Sequence, residues 1–161
     1  MTRSLRPQPK EMNHAAQPDC LCPSRVGGWM LSEAVLAAAI NLTAIQAKAA
    51  ISPMPHFTAC VSQRESHGNP RARNRHSSAQ GKYQFLDRSW RRGLSFMVRD
   101  RLIRFGVPKQ HATRIRVTLV NRPIAAWPEV MQDIGHAEVL DRGGWFHWRN
   151  HDRCDRLAVA S

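Results

Sequence analysis

The stretch RESHGNPRARNRHSSAQGKYQFLDRSW, Arg64 to Trp90, decides how this chain is read. Just upstream, Phe57, Cys60 and Val61 recur at i, i+3 and i+4, the apolar stripe of a short helix that starts behind Pro53 and Pro55. His67-Gly68-Asn69-Pro70 is a strong stop signal, so the helix ends near Glu65-Ser66. A polar loop rich in Arg, Asn and Ser follows. Then Gly81-Lys82-Tyr83-Gln84-Phe85 reads as a short extended piece, with Tyr83 and Phe85 on one side and Gln84 on the other. One carboxylate, Glu65, therefore stands where an apolar helix gives way to a loop beside an aromatic segment.

Working outward, Asp87 to Phe105 is expected to be helical, because Trp90, Leu94, Met97, Val98, Leu102 and Phe105 fall at spacings of three and four. Gly106 caps it and Pro108 begins a new element. In residues 109–121, Ile115, Val117 and Leu119 alternate as in a strand, whereas Ala112, Ile115 and Leu119 fit a helix; we read a helix, since no partner strand is evident. Pro128 to Asp141 is a further helix, with Val130, Met131, Ile134, Ala137 and Leu140 facing inward and Gly143-Gly144 ending it. Residues 1–28 lack apolar periodicity and are rich in turn formers, and are expected to be poorly ordered. Residues 29–49 are Ala/Leu/Ile-rich and fit either an export signal ending in Ala47-Lys48-Ala49 or an amphipathic helix. Glu33 and Asn41 make the run too polar for a membrane span. The chain thus divides into residues 1–50 and one folded domain over residues 51–157.

The length of 161 residues suits one domain with its own core, and 42% hydrophobic residues with five tryptophans argue for a globular fold. Net charge is +12 and is concentrated in the folded part: residues 51–161 carry nineteen Lys/Arg against nine Asp/Glu. Such a surface suits a polyanionic partner, whether nucleic acid, an anionic membrane or an anionic cell wall. Seventeen of those nineteen cations are arginines scattered along the chain, unlike the like-charge runs of nucleic-acid-binding arms. Cys20 and Cys22 have no second ligand pair that would make a zinc site. Cys60 and Cys154, at opposite ends of the domain, either bridge its termini in an oxidising compartment or remain free thiols. His136, His147, His151, Asp152 and Cys154 match no metal-ligand spacing and read as surface residues, so no metal or cofactor is expected. Trp145 and Trp148, three apart, fit either sugar stacking or a small satellite core.

A glutamate packed in partly apolar surroundings has its charged form disfavoured and can hold a proton to give to a glycosidic oxygen. The pattern E-S-x-G-N-P, a loop, then G-x-Y-Q-F and S-W resembles the lysozyme-like superfamily. Within it the likeness is to the transglycosylase-like domains of resuscitation-promoting factors and phage wall-degrading proteins. It runs through Glu65, Ser66, Gly68, Asn69, Pro70, Gly81, Tyr83, Gln84, Phe85, Ser89 and Trp90, with a weaker echo in Val139 to Leu157. Residues 1–50 are not covered. His67 stands where such domains carry a small residue.

The resemblance implies a mainly α, lysozyme-like α+β fold: a small helical domain with a short β-hairpin or extended segment beside the catalytic glutamate. It implies that Glu65 is the general acid, protonating the oxygen between N-acetylmuramic acid and N-acetylglucosamine. Ser66 would support the end of the glutamate's helix, Asn69 the following turn, and Gly81 a close approach to the sugar. Tyr83 and Gln84 would line the cleft, while Phe85 and Trp90 serve the core. Hydrolysis by two carboxylates needs a second acid, for which Asp87, Glu129 and Asp133 are the candidates; an anhydro-forming transglycosylase needs only one. The implied partners are peptidoglycan glycan strands in an anionic wall, met by a monomer that is secreted, wall-associated, or part of a phage lysin or virion. Two other readings are a non-catalytic wall-binding or virion module of the same fold, and a basic nucleic-acid-binding protein.

Overall fold

The computed structural model describes residues 42–148 and 152–159, all within one compact unit, residues 32–161. The tail over 1–28, its two cysteines and the first part of the 29–49 segment lie outside the described residues. Among the described residues the fold is mainly helical, with one two-stranded sheet. Helix α1 covers 42–49, and α2 is Pro55–Ser66, with proline in its first turn where no amide donor is needed. Strands β1 (Ala79–Gln80) and β2 (Phe85–Leu86) pair antiparallel, and α3 (Asp87–Arg104) starts directly from β2. Then come α4 (Lys109–Val120), a 3-10 turn at Ile124–Ala126, α5 (Glu129–Asp141), a second 3-10 turn at Gly144–Trp148 and α6 (Asp152–Val159).

Helix α5 is the centre of the core. Every residue from Ile134 to Leu140 is buried, whereas surface helices bury one stripe. It packs on α3 through Leu94 and Val98, and the approach is close: a Cβ on Gly135 would lie 3.0 Å from the end of the Leu94 side chain. Phe57 and Val61 of α2 and Leu102 of α3 are also fully buried, as the spacing of three and four predicts. The expected helix over 109–121 is present as α4, and the competing strand is not formed.

Two expectations change. The extended piece at 81–85 is a hairpin: Gly81 to Gln84 form the turn and only Phe85 belongs to a strand. Gly81 at φ +81° and Gln84 at φ +50° bend the chain back within four residues, which an alternating reading of Tyr83, Gln84 and Phe85 does not anticipate. The packed unit also starts before Ile51. Ala49 is completely buried, Leu42 and Ile45 pack against the core, and the Ala49 carbonyl accepts a hydrogen bond from Arg101 Nε at 2.6 Å.

Arg101 of α3 is itself buried. Its Nη2 donates to Ile51 O at 2.8 Å, and its Nη1 pairs with Asp141 and, at 3.4 Å, with Glu138 of α5. Glu138, also buried, is held further by Arg104 and by Arg142 Nε at 2.9 Å. This network spends its charges inside the fold and fixes the link from α1 to α2. In the middle of α2, Cys60 is bonded to Cys154 of α6 across 94 residues of sequence, so the bridged alternative is the one observed.

Removing Arg101 leaves a buried carboxylate short of a partner and two carbonyls unpaired. Arg101→Ala should lower the free energy of unfolding by about 3–5 kcal/mol, read from guanidinium titration. A loss below about 0.5 kcal/mol, the range of ordinary surface substitutions, would show that the network is not structural.

Candidate active site

The end of α2 and the hairpin turn are tied together by short bonds. Helix α2 closes with the His67 and Gly68 amides on the carbonyls of Gln63 and Ser62, at 3.0 and 3.1 Å. Ser66, on the last turn, donates its hydroxyl to Lys82 O at 2.7 Å, with Ser62 O a longer second acceptor at 3.3 Å. That bond brings the residue after Glu65 against the turn over 81–84. Glu65 is half-buried on the same helical turn. Asn69 shapes the following loop: its Oδ1 accepts from Arg71 N at 2.9 Å and its own amide donates to Ser66 O. His67 is exposed and left-handed at φ +54°, a loop residue rather than a cleft residue.

The turn rests on Gln132 of α5, a residue with no apolar periodicity to flag it in the sequence. Gln132 is fully buried; its Oε1 accepts from Lys82 N at 2.7 Å, and its Nε2 faces the carbonyls of Pro70, Ile124 and Trp127 at 3.0–3.2 Å. Gly81 follows from this contact. A Cβ there would sit 2.4 Å from Gln132 Oε1, on a backbone that already demands positive φ. The close approach at Gly81 is therefore to Gln132. Gln84, half-buried, donates its side-chain Nε2 and its backbone amide to Gly81 O.

Beside the turn lies a cleft of about 420 Å³. One wall is α2 with the segment before it, presenting Ser52, Thr58, Ser62 and Gln63, and the other is Lys82, Tyr83 and Asp133. The hydroxyls of Ser52 and Thr58 are bonded at 2.6 Å. Tyr83 donates its OH to Asp133 Oδ1 at 2.7 Å, and Lys82 Nζ reaches the same oxygen at 3.0 Å and Glu129 Oε1 at 2.8 Å. Burial, then the charge and hydrogen bond of Asp133, push the Tyr83 phenol well above its usual range, so it stays a donor. Burial would lower the Lys82 ammonium, but its bonds to Glu129 and Asp133 outweigh it and the net shift is upward.

Under Tyr83 lies His136, stacked nearly parallel with ring centroids 3.9 Å apart. It is not the surface residue that the sequence suggests: α5 is buried on all sides here, and Thr58 Oγ1 contacts its Nδ1 at 3.5 Å. Burial first, and the Lys82 charge second, lower its pKa from 6.5 to about 3. Trp148 likewise belongs to the core, donating Nε1 to Tyr83 O at 3.0 Å and lying 5.4 Å from Phe85. Phe85 is core as expected, and Trp90 packs on it at 5.5 Å.

Of the three candidate second acids, Asp87 is committed to structure. It is buried, accepts from Ile124 N at 2.8 Å and pairs with Arg91 at 3.1 Å. Glu129 serves Lys82. Asp133 is the carboxylate on the cleft wall. Among the described residues no group of His, Cys, Asp and Glu could hold a metal ion, and no helix is long and apolar enough to cross a membrane. Compared with known protein families, with characterised proteins and with solved structures, the chain gives no match.

Because His136 is neutral in the fold down to about pH 3 and titrates near 6.5 in the unfolded chain, only the unfolded chain binds this proton in between. Its contribution to stability is complete above pH 6.5 and is lost as pH falls toward 3, at about 1.4 kcal/mol per pH unit. His136→Phe, which keeps a ring under Tyr83, should show a pH slope of unfolding free energy shallower by that amount between pH 4 and 6. Identical slopes would contradict a buried neutral imidazole.

Proposed function

We propose that the protein cleaves the glycan strand of peptidoglycan, with Glu65 as the acid that protonates the glycosidic oxygen. The observation that carries this reading is the junction of α2 with the hairpin turn. Ser66, the residue after half-buried Glu65 in the last turn of α2, is bonded to Lys82 of a turn whose Tyr83 lines a polar cleft, and the motif E-S-x-G-N-P with G-x-Y-Q-F falls across that junction. A mainly helical domain with one short hairpin next to the glutamate agrees with a lysozyme-like fold, which is part of the proposal.

Glu65 acts first as acid and then as base. In the transglycosylase form of the reaction the muramic 6-hydroxyl attacks as the proton is returned, giving an anhydro end without a second carboxylate. We favour this form because Asp87 is consumed by Ile124 and Arg91, and because Asp133 already accepts from Tyr83 and Lys82. The basic surface would hold the enzyme on an anionic wall: Arg71, Arg73 and Arg75 are exposed on the loop after Glu65 and pair with no carboxylate among the described residues. That attraction is screened and weakens with salt. The Cys60–Cys154 bridge suits a site of action outside a reducing cytosol, as a secreted wall enzyme or a phage lysin.

Purified protein should clear a peptidoglycan suspension, and Glu65→Gln should slow clearance by about 10²–10⁴-fold, the worth of a positioned general acid. Equal clearance by wild type and Glu65→Gln, or none by either, would refute the enzyme. Retention on insoluble peptidoglycan without turnover would instead identify a wall-binding module, and tight duplex binding with a steep salt slope a nucleic-acid-binding protein.

A further inference from the structure

Asp133 is held more firmly than a surface carboxylate needs to be. Both of its hydrogen bonds fall on Oδ1, from Tyr83 OH and Lys82 Nζ, and neither donor is free to move. The Tyr83 ring is stacked on His136 and its carbonyl is held by Trp148; Lys82 is anchored through its amide to Gln132, its carbonyl to Ser66 and its Nζ to Glu129. Oδ2 has no partner among the described residues, yet the residue forms the cleft wall. Across the cleft stand the hydroxyls of Thr58 and Ser62, on the helix that carries Glu65 one turn further on. A carboxylate offers only acceptors, and an acceptor fixed in direction selects a donor.

We infer that Asp133 determines specificity in this cleft: its Oδ2 accepts a hydrogen bond from an N–H or O–H of a saccharide unit bound between α2 and the hairpin turn, with Lys82 and Tyr83 as positioning residues. The inference rests on the glycan-cleaving reading for the identity of its ligand. The residues themselves are an acceptor held on one wall and a row of hydroxyls on the other. Neutral His136 beneath Tyr83 adds no competing charge, and its stacking resists rotation of the phenol.

The test is calorimetric titration of the full chain with the tetrasaccharide of N-acetylglucosamine, in a Glu65→Gln background so that no turnover occurs. Adding Asp133→Asn keeps the acceptor for Tyr83 and puts a donor in place of Oδ2, and should weaken binding by about tenfold or more. Adding Tyr83→Phe instead leaves Oδ1 held by Lys82 alone, loosens the carboxylate and should cost a few-fold in affinity, with the fold intact. Affinity within about twofold of the parent for Asp133→Asn would overturn the proposal, and so would a parent that binds no tetrasaccharide. Should Asp133→Asn fail to fold, unchanged affinity in Tyr83→Phe overturns it alone. The two readings separate cleanly. Wall clearance by wild type with no Asp133 effect sinks this site and leaves the enzyme, whereas Asp133-dependent binding without wall clearance sinks the enzyme and leaves the site.

Discussion

One buried side-chain amide holds the candidate site together. Gln132 meets the Lys82 amide and the carbonyls of Pro70, Ile124 and Trp127, so the loop after Glu65, the hairpin turn and the 3-10 turn before α5 all converge on it. The bonds to the Ile124 and Trp127 carbonyls are buried, and leaving such a group unpaired costs about 1–3 kcal/mol. The constraint spreads from there. Gly81 has to be glycine because Gln132 occupies the space of its Cβ, and the turn it makes carries Lys82 and Tyr83 to the cleft.

Helix α5 carries two kinds of polar chemistry in the middle of an apolar core. At its start Gln132, Asp133 and His136 organise the cleft; at its end Glu138 and Asp141 meet Arg101, Arg104 and Arg142. In the second group Glu138 meets all three arginines, and that accounts for how the core holds a buried glutamate. The arginines left over, among them Arg71, Arg73 and Arg75, stay on the surface near the end of α2.

Periodicity made much of this legible. The stripes of α2 and α3 are where the spacing of Phe57, Val61, Leu94, Val98 and Leu102 puts them, and the stop at His67-Gly68-Asn69-Pro70 ends α2 as read. What escaped has a common cause. Gln132, Arg101, His136 and Glu138 are polar residues whose burial is decided by partners far away in sequence, and local pattern ranks such residues as surface. The alternating polarity of Tyr83, Gln84 and Phe85 points to an extended piece, while the positive φ at Gly81 and Gln84 that makes the hairpin turn is a matter of tertiary fit. Helix 42–49 lay within a segment that the sequence set apart from the domain. The buried Ala49, its bond to Arg101 and the packing of Leu42 and Ile45 on the core reveal its place.

The central claim is that Glu65 transfers a proton to a glycosidic oxygen. Its most direct test is mass analysis of fragments released from purified peptidoglycan by wild type and by Glu65→Gln. The account predicts muropeptides with 1,6-anhydro ends from the wild type and none from the variant. Absence of soluble glycan fragments, or the same fragments from both proteins, would contradict it.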